Sequence, residues 1–290
     1  MSAKTSPPCS DLQYGAMLLA STRPQEALLT PTPWLAWSLA CVAMTLGAFL
    51  AGTALDRQML LDIQTQLRHW PVPWAFLTWS GLGICGFVLL TSLSAREPRR
   101  VAALILALLI GGIIVHAMKR MLHVDRPATY FGPDHPVFQV IGKVLKKGSM
   151  PSGHSATAWA VAALLVLQEG RATIWRHLWW ILATLQAISR LVVGAHWPSD
   201  VLVGSGMGLL LAPLTWRLQA SARLANGLRS PQVCKAVAIS LPGFGLYLCF
   251  SRQGWEVPLG VQLGVMALCA WGAWSWWQAS ARPAGQERSV

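Results

Sequence analysis

The stretch S-R-L-V-V-G-A-H-W-P-S-D, Ser189 to Asp200, joins two long apolar segments and sets an arginine, a histidine and an aspartate within twelve residues. Ionisable groups are costly at membrane depth and mark functional positions there. His196 and Asp200 are four residues apart, and Pro198 between them suits the first turn of a new helix. The spacing puts the histidine just before a helix start and the carboxylate within reach of one ring nitrogen. A carboxylate so placed fixes the tautomer and makes the other nitrogen a better nucleophile or base.

Working outward, the surroundings of this stretch are those of a membrane. The chain has 290 residues, 54% hydrophobic and only 12% charged, against about 25% charged in a soluble domain. The reading is an all-α, polytopic helical bundle. The net charge of +12 does not point to nucleic acid, because the basic residues are scattered between apolar runs. Topology control and attraction to anionic headgroups account for them. Cys41, Cys85, Cys249 and Cys269 lie inside apolar runs, and Cys9 and Cys234 in polar flanks, without metal-ligand spacing. The sequence therefore predicts no disulfide framework, no metal site and no cofactor.

Residues 1–33 read as a flexible cytoplasmic tail without a signal-peptide pattern. Apolar spans follow at about Trp34–Leu55, Pro73–Leu93, Val101–Leu122, Pro151–Gln168, a fifth ending near Gly194, and Pro198–Leu218. Each approaches the roughly 20 helical residues that a hydrocarbon core requires. A polar connector with Arg57, Asp62, Arg68 and His69 separates the first two. These six spans make a core at residues 34–218. Residues 219–290 add a basic linker with Arg223, Arg229 and Lys235, then two further spans, about Ala236–Phe250 and Val257–Trp277, and a short tail.

Arginine-rich links follow spans two, four and six: Arg96, Arg99 and Arg100, then Arg171 and Arg176, then the linker just named. With Arg282 and Arg288 in the tail, the positive-inside rule places these in the cytoplasm. Both termini are then inside, and the segments after spans three and five face outward. Localisation is a multi-pass cell membrane, a bacterial inner membrane, with the 189–200 stretch at its extracytoplasmic face.

Two more motifs fall on that same face. The end of span three reads K-R-M-L-H-V-D-R-P, with Lys119 and Arg126–Pro127 in the pattern K-x6-R-P, and span four opens P-S-G-H, Pro151 to His154. Lys119, Arg126 and Arg190 offer a point charge and two planar forks for phosphate oxygens. Ser152 and Gly153 sit at a helix start, where backbone N–H groups and the positive dipole end attract anions. One histidine can attack phosphorus and another can protonate the leaving oxygen. His116 reads as a packed polar residue, and Lys143, Lys146 and Lys147 as a surface that attracts headgroups.

These three strings resemble the signature of the type 2 phosphatidic acid phosphatase superfamily of membrane lipid phosphatases, related to the vanadium haloperoxidases. The resemblance covers residues 119 to 200 with every signature position present. It implies that His196 becomes phosphohistidine, that Asp200 orients it, and that His154 is the general acid. Lys119, Arg126, Ser152, Gly153 and Arg190 would hold the phosphate, with no metal and no cofactor. It also implies a six-helix core, so the two C-terminal spans look like an addition. The implied partner is a phosphorylated lipid, such as undecaprenyl diphosphate, phosphatidylglycerol phosphate, phosphatidic acid or a lipid A phosphate. A phosphotransferase using the same site, or a non-catalytic lipid transporter or scaffold, is the alternative.

Overall fold

The computed structural model describes residues 33–167, 173–221, 227–250 and 258–281. The N-terminal tail, Arg171, Arg223, Arg282 and Arg288 lie outside the described residues. Within the described residues the chain is helical, with no strand.

Helix α1 spans Pro33–Leu50, and Gly52 (φ +75°) turns the chain into α2, Ala54–Leu67. Thr53 caps α2, its hydroxyl accepting from the Asp56 N–H at 3.1 Å. Helices α3 (Pro71–Ser80) and α4 (Gly83–Leu93) follow, then the long α5 (Pro98–Leu122) and the single turn α6 (Pro127–Phe131). After an irregular segment come α7 (Gly153–Val166), α8 (Thr173–Val192), α9 (Pro198–Ser221), α10 (Pro231–Phe250) and α11 (Leu259–Ser280). Proline opens α3, α5, α6, α9 and α10, where its missing N–H costs nothing and its fixed φ suits the first turn.

The expected spans are present as helices, with differences in their shape. The first ends at Leu50, and α1 and α2 are bent by 103°. The polar connector is therefore a helix in its own right, burying Leu60 and Gln64 while exposing Gln58 and Asp62. Its charges kept it from resembling a span, although its inward face is packed. The second span breaks at Ser80–Gly83 into two pieces bent by 67°. By length and composition the stretches Pro98–Phe131, Pro198–Gln219 and Pro231–Phe250 can each cross a bilayer, and each bent pair can act as one broken span.

The fourth, fifth and eighth expected spans correspond to α7, α8 and α11, which fall outside that set. With 14 residues, α7 is about 21 Å long, short of a hydrocarbon core of about 30 Å. Arg176 lies within α8 rather than in a link, together with His177 and Arg190. Gln262, Gln278 and a run of tryptophans dilute the apolar character of α11.

Helix α9 is the central post, packed against α1, α5 and α7. Its small residues permit this close approach, as at interfaces between membrane helices. A Cβ at Gly204 or Gly208 would run into the backbone oxygens of Ser152 or Ala156 at the start of α7, and one at Gly206 would meet Ala40 and Met44 of α1. The apolar core joins Leu90, Leu104, Leu164, Ala212 and Leu241 from five helices. The C-terminal hairpin α10–α11 docks on α4, where Gly272 lies against Ser92 and Trp276 Nε1 donates to the Thr91 carbonyl at 2.9 Å.

Candidate active site

Four elements meet at one end of the bundle: the end of α5, the start of α7, the end of α8 and the turn into α9. That turn is made by Gly194, whose φ of +70° and tight surroundings favour glycine, since a Cβ there would strike the Gln139 carbonyl. The amide N–H groups of Ala195 and His196 fold back to the Arg190 carbonyl at 3.0 and 3.3 Å. His196 is thereby set directly beside the end of α8.

The expected pairing of His196 and Asp200 is present. His196 Nδ1 lies 3.2 Å from Asp200 Oδ2, with both residues buried. The same oxygen accepts from the Trp197 N–H at 2.9 Å and from the Ser149 hydroxyl. Asp200 is thus fixed by three donors, and the other ring nitrogen, Nε2, is turned toward Arg126 Nη1 at 3.4 Å. Burial, with Arg126 and Arg190 beside it, holds the His196 imidazole well below the ordinary imidazole range. A neutral ring keeps a lone pair on Nε2.

Arg126 is anchored on three sides. Nη1 donates to the Ala195 carbonyl at 2.8 Å, Nε to the Lys147 carbonyl at 3.1 Å, and Nη2 to the Gly148 carbonyl at 3.3 Å. Lys119 Nζ donates to the same Gly148 carbonyl at 2.9 Å. Arg190 is buried, and its Nε has no hydrogen-bond partner among the described residues. A buried guanidinium with an unused donor is costly unless an acceptor completes it.

Ser152 caps α7, its hydroxyl accepting from the Ser155 N–H at 3.4 Å and from the Ser155 hydroxyl at 2.9 Å. Its own N–H donates to the Asp200 carbonyl at 3.0 Å, so that amide is already committed. The anion-attracting start of α7 therefore falls to Gly153 and His154. The positive charges of Arg190, Lys119 and Arg126 act on the His154 ring. All eight residues singled out in the sequence converge here. His116 is exposed, its Nδ1 2.8 Å from the Gly112 carbonyl, and Lys143, Lys146 and Lys147 are exposed along the segment that Arg126 and Lys119 hold.

Beside His154 and Gly153 lies a cavity of about 250 Å³, lined mainly by apolar surface from Leu108, Gly111, Val115 and Leu211. Among the described residues no group of three or more His, Cys, Asp or Glu side chains could hold a metal ion. The sequence reading missed several supporting residues. Ser149 gave no signal beyond adjacency to P-S-G-H, and Asp56 and Gln64 sat in what read as a connector. The G-S-G-M-G run at 204–208 was the one visible clue to close helix packing.

Comparison with known proteins places this geometry in context. Residues 100–223 match the sequence model of the PAP2 superfamily, a segment containing all eight site residues. Over 67 residues the chain is 43% identical to the lipid A 1-phosphatase of Porphyromonas gingivalis, covering 23% of this chain and 15% of that protein. It is 38% identical over 102 residues to the decaprenylphosphoryl-5-phosphoribose phosphatase of Mycobacterium tuberculosis, covering 34% of this chain and 51% of that protein. The chain thus aligns with about half or less of these curated relatives. The fold is similar to the crystal structure of Aquifex aeolicus LpxE, with a TM-score of 0.50 and 24% identity over 57% of this chain and 97% of that one.

Proposed function

The chain carries a PAP2 superfamily domain in residues 100–223, and from that premise we propose that it is a membrane phosphatase hydrolysing a lipid phosphomonoester or diphosphate through a phosphohistidine. His196 Nε2 attacks phosphorus, forming a P–N bond as the P–O bond to the lipid breaks. His154 supplies the proton to the departing lipid oxygen. Water then attacks the phosphohistidine, giving its proton to His154, and inorganic phosphate leaves. Asp200 keeps the proton on Nδ1 and balances the charge that the ring acquires. Lys119, Arg126 and Arg190, with the start of α7 at Gly153–His154, neutralise the phosphoryl oxygens as charge spreads over them.

The observation that carries this reading is the orientation of His196. Its Nδ1 is engaged by Asp200 at 3.2 Å while Nε2 faces Arg126 at 3.4 Å, with the incompletely bonded Arg190 guanidinium in the same site. The cavity beside His154 has the apolar character needed to take the hydrocarbon next to the phosphate, which supports a lipid over a soluble ester. The relatives' names favour a phosphorylated glycolipid or prenyl carrier within the wider set of lipid phosphates. The basic links support an active site facing away from the cytoplasm.

The test is release of inorganic phosphate by the purified protein in detergent, from lipid A, prenyl diphosphate, phosphatidylglycerol phosphate and phosphatidic acid. Release from at least one, absent in His196→Ala, is the expected result. No release from any, or a phosphorylated acceptor lipid in place of free phosphate, would overturn the hydrolase reading.

A further inference from the structure

A helix start leaves its first N–H groups unpaired unless a capping side chain accepts from them. In α9 the capping position is Trp197, whose side chain has no acceptor. Asp200, three residues on, accepts from the Trp197 N–H at 2.9 Å, which is one half of a capping box. The other half comes from a different helix. Asp56 of α2, only 2% exposed, accepts from the Ser199 N–H through Oδ1 at 2.9 Å and from the Ser199 hydroxyl through Oδ2 at 2.6 Å.

This carboxylate engages both donors of one residue, so its rotation is fixed. Its own backbone N–H is tied to Thr53 at 3.1 Å. Anchoring α2 is not its only available purpose, because Gln64 already does that. Gln64 Nε2 donates to the carbonyls of Gln139, Val192 and Leu191 at 2.9, 3.1 and 3.3 Å, and its Oε1 accepts from the Gln139 N–H at 3.0 Å. The Asp56 contact falls instead on the residue between Pro198 and Asp200. It also places a negative charge at the positive end of α9, which leaves the start of α7 as the helix end available to a phosphate.

We propose that Asp56 is a positioning residue for the His196–Asp200 pair, capping α9 from outside and fixing the turn that sets the 3.2 Å contact between His196 Nδ1 and Asp200 Oδ2. Asp56 lies outside residues 100–223, the segment that matches the superfamily. The role rests on the phosphatase reading for its kinetic consequence and on geometry alone for its structural one.

The experiment compares Asp56→Ala, Asp56→Asn and Ser199→Ala in the full-length protein. Asp56→Ala should lower kcat about 100-fold, the scale of a small misplacement of reacting groups. KM should stay within about threefold, because the cations that hold the substrate are untouched. Asp56→Asn retains an acceptor for the Ser199 N–H and should recover most of that loss. Amide hydrogen exchange across residues 196–201, which needs no substrate, should accelerate in Asp56→Ala and stay near wild type in Asp56→Asn.

If Asp56→Ala does not fold, Ser199→Ala removes only the hydroxyl contact and should cost about threefold to tenfold in kcat. Unchanged kcat in both Asp56→Ala and Ser199→Ala, equal loss in Asn and Ala, or unaltered exchange in Asp56→Ala would overturn the proposal. A wild type that releases no phosphate would count against the phosphatase reading, while the exchange measurement would still decide the cap.

Discussion

Arg126 Nη1 lies 3.4 Å from His196 Nε2 while donating at 2.8 Å to the carbonyl of Ala195, the residue just before that histidine. One guanidinium therefore positions the backbone of the proposed nucleophile and supplies charge where the phosphoryl group would bind. Its remaining nitrogens reach the Lys147 and Gly148 carbonyls, so the planar fork links two loops. A lysine has the charge but not the fork.

Arg126→Lys is accordingly expected to behave as a severe loss. Removing one transition-state donor costs about 10²–10³ in kcat, and here the loop contacts go with it. Phosphate release from the preferred lipid, measured as kcat/KM, should fall by at least that order. Activity within tenfold of wild type would mean that Arg126 serves only the loop.

His196 and Asp200 should separate by the kind of loss. His196→Ala removes the attacking nitrogen, so no phosphoenzyme should form and turnover should vanish. Asp200→Asn keeps the size of the side chain but weakens control of the ring tautomer, and a change of this kind in another enzyme cost about 10⁴ in kcat. Weak residual activity is expected, along with an acid-labile phosphoenzyme trapped by rapid quench. Full activity in Asp200→Asn would break the proposed pairing.

What could be read from the sequence, and what could not, divides along physical lines. The strings proposed to hold phosphate were legible because that chemistry asks for particular residue types, and the structure brings K-x6-R-P, P-S-G-H and R-x5-H-x3-D to one end of the bundle. The helices were legible from apolar length, with Pro198 marking the start of α9. The 103° bend after Leu50 was not, because Gly52 ends a helix without stating the direction of the next. Asp56 looked like one charge in a polar connector, since its partner Ser199 is 143 residues away. Ser149 was likewise invisible, because its contact with Asp200 exists only once α7 and α9 are packed.

The glycines of α9 make that packing measurable. A Cβ at Gly204 would collide with the Ser152 carbonyl, whereas one at Gly243 in α10 meets nothing within 4 Å. Gly204→Ala should therefore cost about 1–3 kcal/mol through overpacking, lower Tm in detergent, and displace the start of α7 enough to reduce activity. Gly243→Ala should leave Tm unchanged or slightly raised. Equal Tm values for the two variants would show that α7 yields without penalty.

Orientation is testable without substrate. In a background with the native cysteines replaced, Asp134→Cys, at an exposed position, should react in intact cells with a membrane-impermeant thiol reagent. Ser230→Cys, at the start of the C-terminal hairpin, should react only after permeabilisation. Labelling of the Ser230 variant alone would place the catalytic end in the cytoplasm and reverse the assignment drawn from the basic links.

In the proposed mechanism side chains and a helix end carry the positive charge, and this sets the expected response to inhibitors. Arg126 lies 3.4 Å from His196 Nε2, the charges of Arg190 and Lys119 also act on that ring, and the start of α7 adds its dipole. Three cations suffice for a phosphate dianion and the charge that develops as the bond to the lipid breaks. EDTA should then leave the rate of phosphate release unchanged. Vanadate should inhibit competitively, because its trigonal-bipyramidal adducts resemble the transition state of attack at phosphorus, and such mimics bind more tightly than substrate. The His196→Ala variant should lose much of that tight binding, since the axial nitrogen is gone, while keeping weaker affinity for phosphate through the three cations. Loss of activity in EDTA with recovery on adding magnesium would make an ion part of the mechanism. Vanadate binding equally tight in wild type and His196→Ala would remove His196 from the axial position and with it the phosphohistidine.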